Sequence, residues 1–343
     1  MIRAQPNALT GWVSDSLVKH HNVGSTTSVV TEVGFGAASL GNLYRKTTDA
    51  ESHGALVEAW DRGIRYFDTA PHYGLGLSER RLGETLKAFP RDDFSVSTKV
   101  GRLLVPNPAP TGRDEGFDVP DDMIRQWDFS RDGVLRSIEG SLERLGMSRI
   151  DIAYVHDPDA FSDDSARLAL KTLTELREQG VVGAIGVGTN QTYQLGELFS
   201  EGLIDVAMLA GRFTLLEQGG LDSVLEPAAA VGGSVVIAGV YNSGLLANNR
   251  PPADAKYNYE DAPPALIATT NAIADVCESF GVTLPQAAIA FVLRHRAVAG
   301  VVFGMRTAEQ VADNIARFSA TVPTELWAEL VSRGLVADGA PAT

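Results

Sequence analysis

The sequence predicts an α/β fold, a (β/α)8 barrel of the TIM type over residues 29–343, and three observations predict it. From about residue 29 one grammar repeats: a short β-branched run, a turn, an amphipathic stretch at helical spacing, and often a glycine before the next run. Eight such units follow one another with no block of strands alone, which favours a closed barrel over an open doubly wound sheet. Nor does the Gly-x-Gly-x-x-Gly fingerprint of the open alternative occur, since Gly34-Phe35-Gly36 runs on to Ser39 and Gly186-Val187-Gly188 to Gln191.

In chain order, strands are expected at 29–37, 64–70, 94–100, 150–156, 181–187, 204–210, 234–240 and 298–303. Strands buried on both faces read as continuous apolar runs, as GSVVIAGV and AVAGVVFG do. Helical patterns at 48–62, 78–89, 130–146, 164–180, 191–202, 221–231, 284–295 and 307–318 are long enough to cross back over a parallel sheet. In the third, Val134, Ile138, Leu142 and Leu145 mark one buried face and Gly146 ends it. Outside the eight units, residues 1–28 form an N-terminal arm, either loose or folded as a lid at the barrel floor. Residues 102–129 and 242–264 are long loops, and extra helices are expected at 265–280 and 325–335.

At 343 residues, 44% hydrophobic and 21% charged, the chain suits one globular barrel domain. Its net charge of −14 repels phosphate backbones and anionic membranes, so neither nucleic acid nor membrane is expected as a partner, and a small-molecule substrate is. Composition points to neither a monomer nor a homo-oligomer. The single cysteine, Cys277, excludes an intramolecular disulfide and a multi-cysteine zinc site, and its helical neighbours Ile273, Val276 and Phe280 place it in the core. His20, His21, His53 and His295 show no metal-ligand spacing, so no metal is expected. Without an apolar leader in residues 1–10 or a stretch of 18 apolar residues, the expected location is cytoplasmic.

In a parallel barrel the functional groups collect where strands end. The second run ends in Phe67-Asp68-Thr69-Ala70-Pro71-His72-Tyr73-Gly74, the third in Thr98-Lys99-Val100-Gly101, the fourth in Tyr154-Val155-His156-Asp157-Pro158. Asp68, Tyr73, Lys99 and His156 therefore converge on one mouth. A lone charge in an apolar strand end is costly to bury, so Asp68 and Lys99 read as a pair. A purely structural salt bridge is the competing reading. Tyr73, five residues past Asp68, brings a phenol within reach of the ammonium, which is expected to lower its pKa toward working pH, as an acid–base group needs. His156 is expected to be a neutral imidazole that donates to a substrate oxygen.

The run GIRYFDTAPHYGLGLSERRLGETL, then STKVG, then YVHDPD, resembles the aldo-keto reductase superfamily, and the similarity extends from about residue 30 to 318. The resemblance implies a nicotinamide-dependent barrel enzyme whose catalytic tetrad is Asp68, Tyr73, Lys99 and His156. VAMLAGRFTLLEQ and VVIAGVYNSGLLA are similar to the aldose 1-dehydrogenases, including fucose dehydrogenase, and to pyridoxal 4-dehydrogenase. That branch implies oxidation of a cyclic hemiacetal to a lactone, with Tyr73 taking the anomeric hydroxyl proton. The superfamily also holds NADPH-dependent aldehyde and ketone reductases and channel accessory subunits, so a reductase and a non-catalytic cofactor-sensing subunit are the alternatives.

For the cofactor, the resemblance implies contacts from Gly36, Gly188, Thr189 and Asn190, from Gly239, Val240, Tyr241, Asn242, Gly244 and Leu245, and from Gly304, Met305, Arg306, Gln310 and Asn314. The chain departs from the common pattern: Gly188-Thr189-Asn190 replaces a Ser-Asn pair, Ala210 a glutamine, and Gly239 a stacking tyrosine. Gly304 and Gln310 stand where NADP-specific members often carry Lys and Arg, so NAD is expected, with NADP possible through Arg306. A solvated side chain at the helix start is the other reading of Arg306. Substrate contacts are expected from Tyr44, His72, Trp127 and Arg212, because aromatic faces suit a sugar or pyridine ring; loop or core packing is the alternative for each.

Overall fold

The computed structural model describes residues 18–337 apart from 163, 193, 253 and 259, and it begins with a floor rather than a wall. Strands β1 (His20–Asn22) and β2 (Val29–Thr31) pair antiparallel, with His21 opposite Val30. Val23 and Val30 are fully buried in the barrel lumen, the Gly24 N–H donates to Ser234 Oγ (2.9 Å) and Ser28 Oγ to the Asp151 carbonyl (2.9 Å). The expected arm is thus a lid at the floor over its described part; residues 1–17 lie outside the described residues. The strand expected over 29–37 is two strands instead. Thr31 breaks it, because its Oγ1 accepts the Arg65 and Tyr66 N–H groups (3.2 and 3.1 Å) and donates to the Val33 carbonyl (2.7 Å).

The wall starts with β3 (Val33–Gly36), β4 (Tyr66–Asp68) and β5 (Ser95–Val100). After a hairpin of β6 (Arg102–Pro106) and β7 (Met123–Trp127) come β8 (Ile150–His156), β9 (Val182–Thr189), β10 (Val206–Ala210) and β11 (Ser234–Ala238). A short hairpin of β12 (Lys256–Tyr257) and β13 (Glu260–Asp261) precedes β14 (Val298–Gly304), which returns to β3 and closes eight parallel strands into a barrel. Neither expected long loop is structureless: the 102–129 segment is built on β6–β7, and the 242–264 segment on a helical turn and β12–β13.

Outside the wall lie α1 (Asp49–Asp61), α2 (Leu77–Leu86), α3 (Arg131–Leu145), α4 (Ser165–Glu178), α5 (Leu195–Ser200) and α6 (Glu226–Val231). The extra helix α7 (Pro264–Ser279), then α8 (Leu284–Val292), α9 (Ala308–Phe318) and the terminal α10 (Thr324–Ser332) follow. Thr48 and Glu51 form a capping box on α1, and Gly146 ends α3 at φ +65. Cys277 is buried in α7, where burial pushes its thiol up to about 12, so it packs and does not react. One large apolar core fills the space between wall and helices; a second, containing Tyr66, Ile152, Tyr154, Val206 and Val236, fills the lumen. Among the described residues no helix is long and apolar enough to cross a membrane.

Candidate active site

Alternation along a strand decides which groups meet. Residues two apart share a face, and β4, β5 and β8 lie side by side with Asp68 opposite Ser97 and Lys99 opposite Tyr154. Asp68, Lys99 and His156 thereby crown the lumen core at the strand ends. Lys99 Nζ donates to both Asp68 oxygens (2.9 and 2.7 Å) and to the Thr69 carbonyl (2.9 Å), with the two residues 2% and 3% exposed. Burial pulls the ammonium's pKa down, but the Asp68 charge and the Tyr73 phenol outweigh it and hold Lys99 above its ordinary value.

Tyr73 follows β4 on a turn that depends on two glycines. Gly74 has φ +63, and a Cβ on Gly41 would lie 2.6 Å from the Tyr73 carbonyl carbon, so this loop is pressed against the 37–41 turn. Lys99 Nζ sits 4.8 Å from the Tyr73 ring centroid and interacts with the hydroxyl. Burial raises the phenol's pKa, Lys99 lowers it, and Asp68 raises it again, leaving it above the ordinary tyrosine value. The expected lowering is therefore corrected. An ammonium already neutralised by Asp68 does not offset desolvation.

The His156 ring lies 5.6 Å from that of His72 and 6.0 Å from that of Tyr73. Burial, then the Lys99 and Arg102 charges, hold His156 well below its ordinary pKa, and burial takes His72 to about 3, so both are neutral imidazoles at working pH. Both Nδ1 atoms are buried and make no hydrogen bond among the described residues. A cavity of about 210 Å³ joins His72, Tyr73, Lys99 and His156 to Gly188, Asn190, Ala210 and Ala238. A second cavity, about 800 Å³, shares His72 and Tyr73 and is walled by Tyr44, Phe117, Ile124 and Arg125. A separate hollow of about 670 Å³ on the outer face, beside Arg80 and Arg144, holds none of these groups.

Two expected substrate contacts are not at this mouth. Trp127 stacks on Phe129 (5.6 Å) and lies under the Arg102 guanidinium (4.6 Å), so it packs the β6–β7 hairpin onto the barrel. Arg212 lies outside the linings of both cavities, bonded to the Gly211 carbonyl and Asn258 Oδ1 at 3.3 Å each. Tyr44 and His72 do line the larger cavity. Sequence reasoning missed Arg102, which pairs with Asp157 next to His156, and Arg125, which donates to the His72 carbonyl (2.9 Å) and to Asp114 (2.5 Å). Their partners are far apart in the chain and no local pattern marks them.

The residues present fit a nicotinamide dinucleotide. On the side of the cavity away from the tetrad the lining is small, Gly188, Ala210 and Ala238, which leaves room for a flat ring, and Gly211 and Gly239 follow the two alanines at positive φ. Beyond it Tyr241 donates to Asn314 Oδ1 (2.7 Å), tying the loop after β11 to α9, whose first turn is capped by Thr307 Oγ1 accepting from the Gln310 N–H (3.3 Å). Gly36, at the end of β3, is pressed against the Phe303 carbonyl, and Gly304 beside it is open. Thr189 Oγ1 donates to Asp159 (2.7 Å), and Asn242 is spent on Thr214 and Gly211 at a turn continued by Gly244 at φ +100. Val240, Leu245 and Met305 turn their side chains into the core, so only their backbone is available to a ligand. Arg306 is not solvated: it is 8% exposed, and its guanidinium donates to the carbonyls of Leu43 (2.6 Å) and Arg45 (2.9 Å) and to Thr47 Oγ1 (2.5 Å).

Known proteins resemble the chain over nearly its whole length. The sequence pattern of the Aldo/keto reductase family matches residues 32–333. The chain is 46% identical to D-threo-aldose 1-dehydrogenase of a Pseudomonas species, over 90% of this chain and 95% of that protein. It is 38% identical to pyridoxal 4-dehydrogenase of Microbacterium luteolum, over 92% and 97% of the two chains. Its fold is that of a holo-form aldo-keto reductase from Bacillus halodurans, with a TM-score of 0.75 at 24% identity over 95% and 97% of the two chains.

Proposed function

The chain belongs to the aldo/keto reductase family, and from that premise we propose that it is an NAD-preferring dehydrogenase that oxidises an aldose or related cyclic hemiacetal at the anomeric carbon to the lactone. The likeness to two dehydrogenases, one named for aldoses and one for pyridoxal, supports the direction and the substrate class. The observation that carries the reading is the meeting of Tyr73, Lys99 and His156 in one cavity of about 210 Å³, with Asp68 paired to Lys99 behind it.

A nicotinamide held beside the tetrad would supply the hydride acceptor for the anomeric carbon. His156, neutral, orients the anomeric hydroxyl through a hydrogen bond. Tyr73 takes that hydroxyl's proton as the C–H electron pair leaves, and the carbon–oxygen bond becomes the lactone carbonyl. Lys99 stabilises the phenolate form of Tyr73 that takes this proton, and Asp68 keeps Lys99 protonated. Because the phenol lies above its ordinary pKa, only a small share is ionised at neutral pH, and oxidation is expected to quicken as pH rises. NAD preference follows from Arg306, whose guanidinium is committed to the 43–47 loop instead of to a 2′-phosphate.

Purified protein is expected to reduce NAD faster than NADP when given L-fucose, D-arabinose or pyridoxal, followed by the absorbance of the reduced nicotinamide. Silence across these lactols with rapid NADPH consumption on simple aldehydes would assign a reductase instead. Tight cofactor binding with no turnover on either panel would assign a regulatory role.

A further inference from the structure

Below the tetrad, in the dry lumen, three hydroxyls stand in line. Tyr154 Oη lies 3.2 Å from Tyr66 Oη, Tyr66 Oη 2.9 Å from Ser97 Oγ, and Ser97 Oγ 2.7 Å from Asp68 Oδ1. All three residues are 0% exposed. Each hydroxyl has one proton, and that fixes the direction of the line. A carboxylate paired with an ammonium only accepts, so Ser97 spends its proton on Asp68 and must accept from Tyr66. Tyr66, its own proton spent, must accept from Tyr154. Three O–H dipoles therefore point the same way, toward the carboxylate, and each polarises the next. Burial holds both phenols above their ordinary values, so neither ionises to break the line.

We infer that Ser97, backed by Tyr66 and Tyr154, is a positioning residue that shares the negative charge of Asp68 and so sets the basicity of Tyr73. The inference rests on the dehydrogenase reading for its kinetic consequence alone. Asp68 carries two demands. It must hold Lys99 charged, and its own charge opposes ionisation of the Tyr73 phenol. A donor on Oδ1 that is not Lys99 draws part of that charge away from the phenol. Without it more of the carboxylate's field falls on Tyr73, and the phenol becomes harder to ionise. The Asp68–Lys99 pair alone, above the apolar lumen core, would lack that second support.

The test compares wild type, Ser97→Ala, Ser97→Thr and Tyr66→Phe. With an oxidised substrate, Ser97→Ala is expected to lower kcat at neutral pH about threefold with KM nearly unchanged, and to move the alkaline limb of the pH profile up by about half a unit. Tyr66→Phe, which keeps the ring and the fold, is expected to move the limb in the same direction by less, and Ser97→Thr, which keeps the hydroxyl, to restore the wild-type profile. Superimposable profiles for all four, with only stability altered, would overturn the inference. A second readout needs no substrate: tyrosinate absorbance titrated against the Tyr73→Phe form of each variant isolates the Tyr73 phenol. There, an upward shift in Ser97→Ala sustains the positioning role and an unmoved value refutes it. Wild type that oxidises nothing would count against the dehydrogenase reading, leaving the titration to decide this one.

Discussion

Replacing Asp68 by asparagine removes a charge and little else, and the structure fixes what that costs. The Lys99 ammonium, 2% exposed, keeps its place between the new side-chain amide and the Thr69 carbonyl but loses the carboxylate 2.7 Å away. Breaking a buried ion pair on one side costs about 3–5 kcal/mol. That matches an attraction of about 4 kcal/mol for unit charges 4 Å apart at an effective dielectric near 20. The pH dependence carries a sign. In wild type the folded Lys99 pKa is raised, so the pair's contribution is complete below the unfolded lysine value and is lost only as pH climbs through the folded one. In Asp68→Asn burial is opposed only by the Tyr73 phenol, and the folded value is expected to drop below the unfolded one. The unfolded chain then binds more protons, so the variant's stability rises with pH, by at most about 1.4 kcal/mol per pH unit. Urea unfolding followed by tryptophan fluorescence at about pH 6.5, 8 and 9.5 should show a gap to wild type of about 3–5 kcal/mol that narrows as pH rises. A gap under about 1 kcal/mol that stays flat with pH would mean that water reaches the pair, and the reasoning on Tyr73 would go with it.

Tyr73→Phe should cut turnover by about 10²–10⁴-fold while cofactor affinity, read by fluorescence quenching, stays within about twofold. His72 has a folded pKa of about 3, and His156 is also lowered, so the unfolded chain takes up protons that the folded one refuses and stability falls as pH drops below about 6.5. His72→Gln and His156→Gln should each flatten that acid slope in unfolding curves, and an unchanged slope would place the titration elsewhere. Gly41→Ala drives a methyl into the backbone of Tyr73 and Gly74, and a displacement of about 1 Å there should cost up to about 100-fold in kcat, measured beside an unfolding curve that shows the barrel intact.

The wall was legible because buried parallel strands are apolar without interruption, and the tetrad because strand ends are the only place in a barrel where charge is tolerated. Asp68, Lys99 and His156 are ionisable residues at the C-terminal ends of three such runs, and the structure gathers them with Tyr73. What escaped was set by distance in the chain or by competition between effects. The break at Thr31 depends on amides of Arg65 and Tyr66, more than thirty residues away. The β6–β7 hairpin pairs Arg102 with Trp127 across a loop whose turn residues give no short-range signal. Trp127 looked like a ligand face because aromatic side chains in long loops suit both roles, and here Phe129 and Arg102 claim it. The sequence leaves Arg306 between a phosphate contact and a solvated side chain, and the Leu43 and Arg45 carbonyls that bury it come from the other end of the chain. The phenol's raised pKa depends on burial, which no spacing reports. Ser97 and Tyr66 did leave a trace, since each lies two residues before a tetrad member and so shares its face of the strand.

The account turns on a hydride leaving a carbon whose hydroxyl proton goes to Tyr73. An aldose deuterated at its anomeric carbon, offered with NAD to wild type and to Tyr73→Phe, tests this through the mass of the reduced cofactor and the rate at which it forms. Wild type should yield a reduced cofactor about one mass unit heavier than the unlabelled one, with a normal primary isotope effect, and the variant should carry the same label far more slowly. Unlabelled reduced cofactor, or label transferred at the wild-type rate without the phenol, would contradict it.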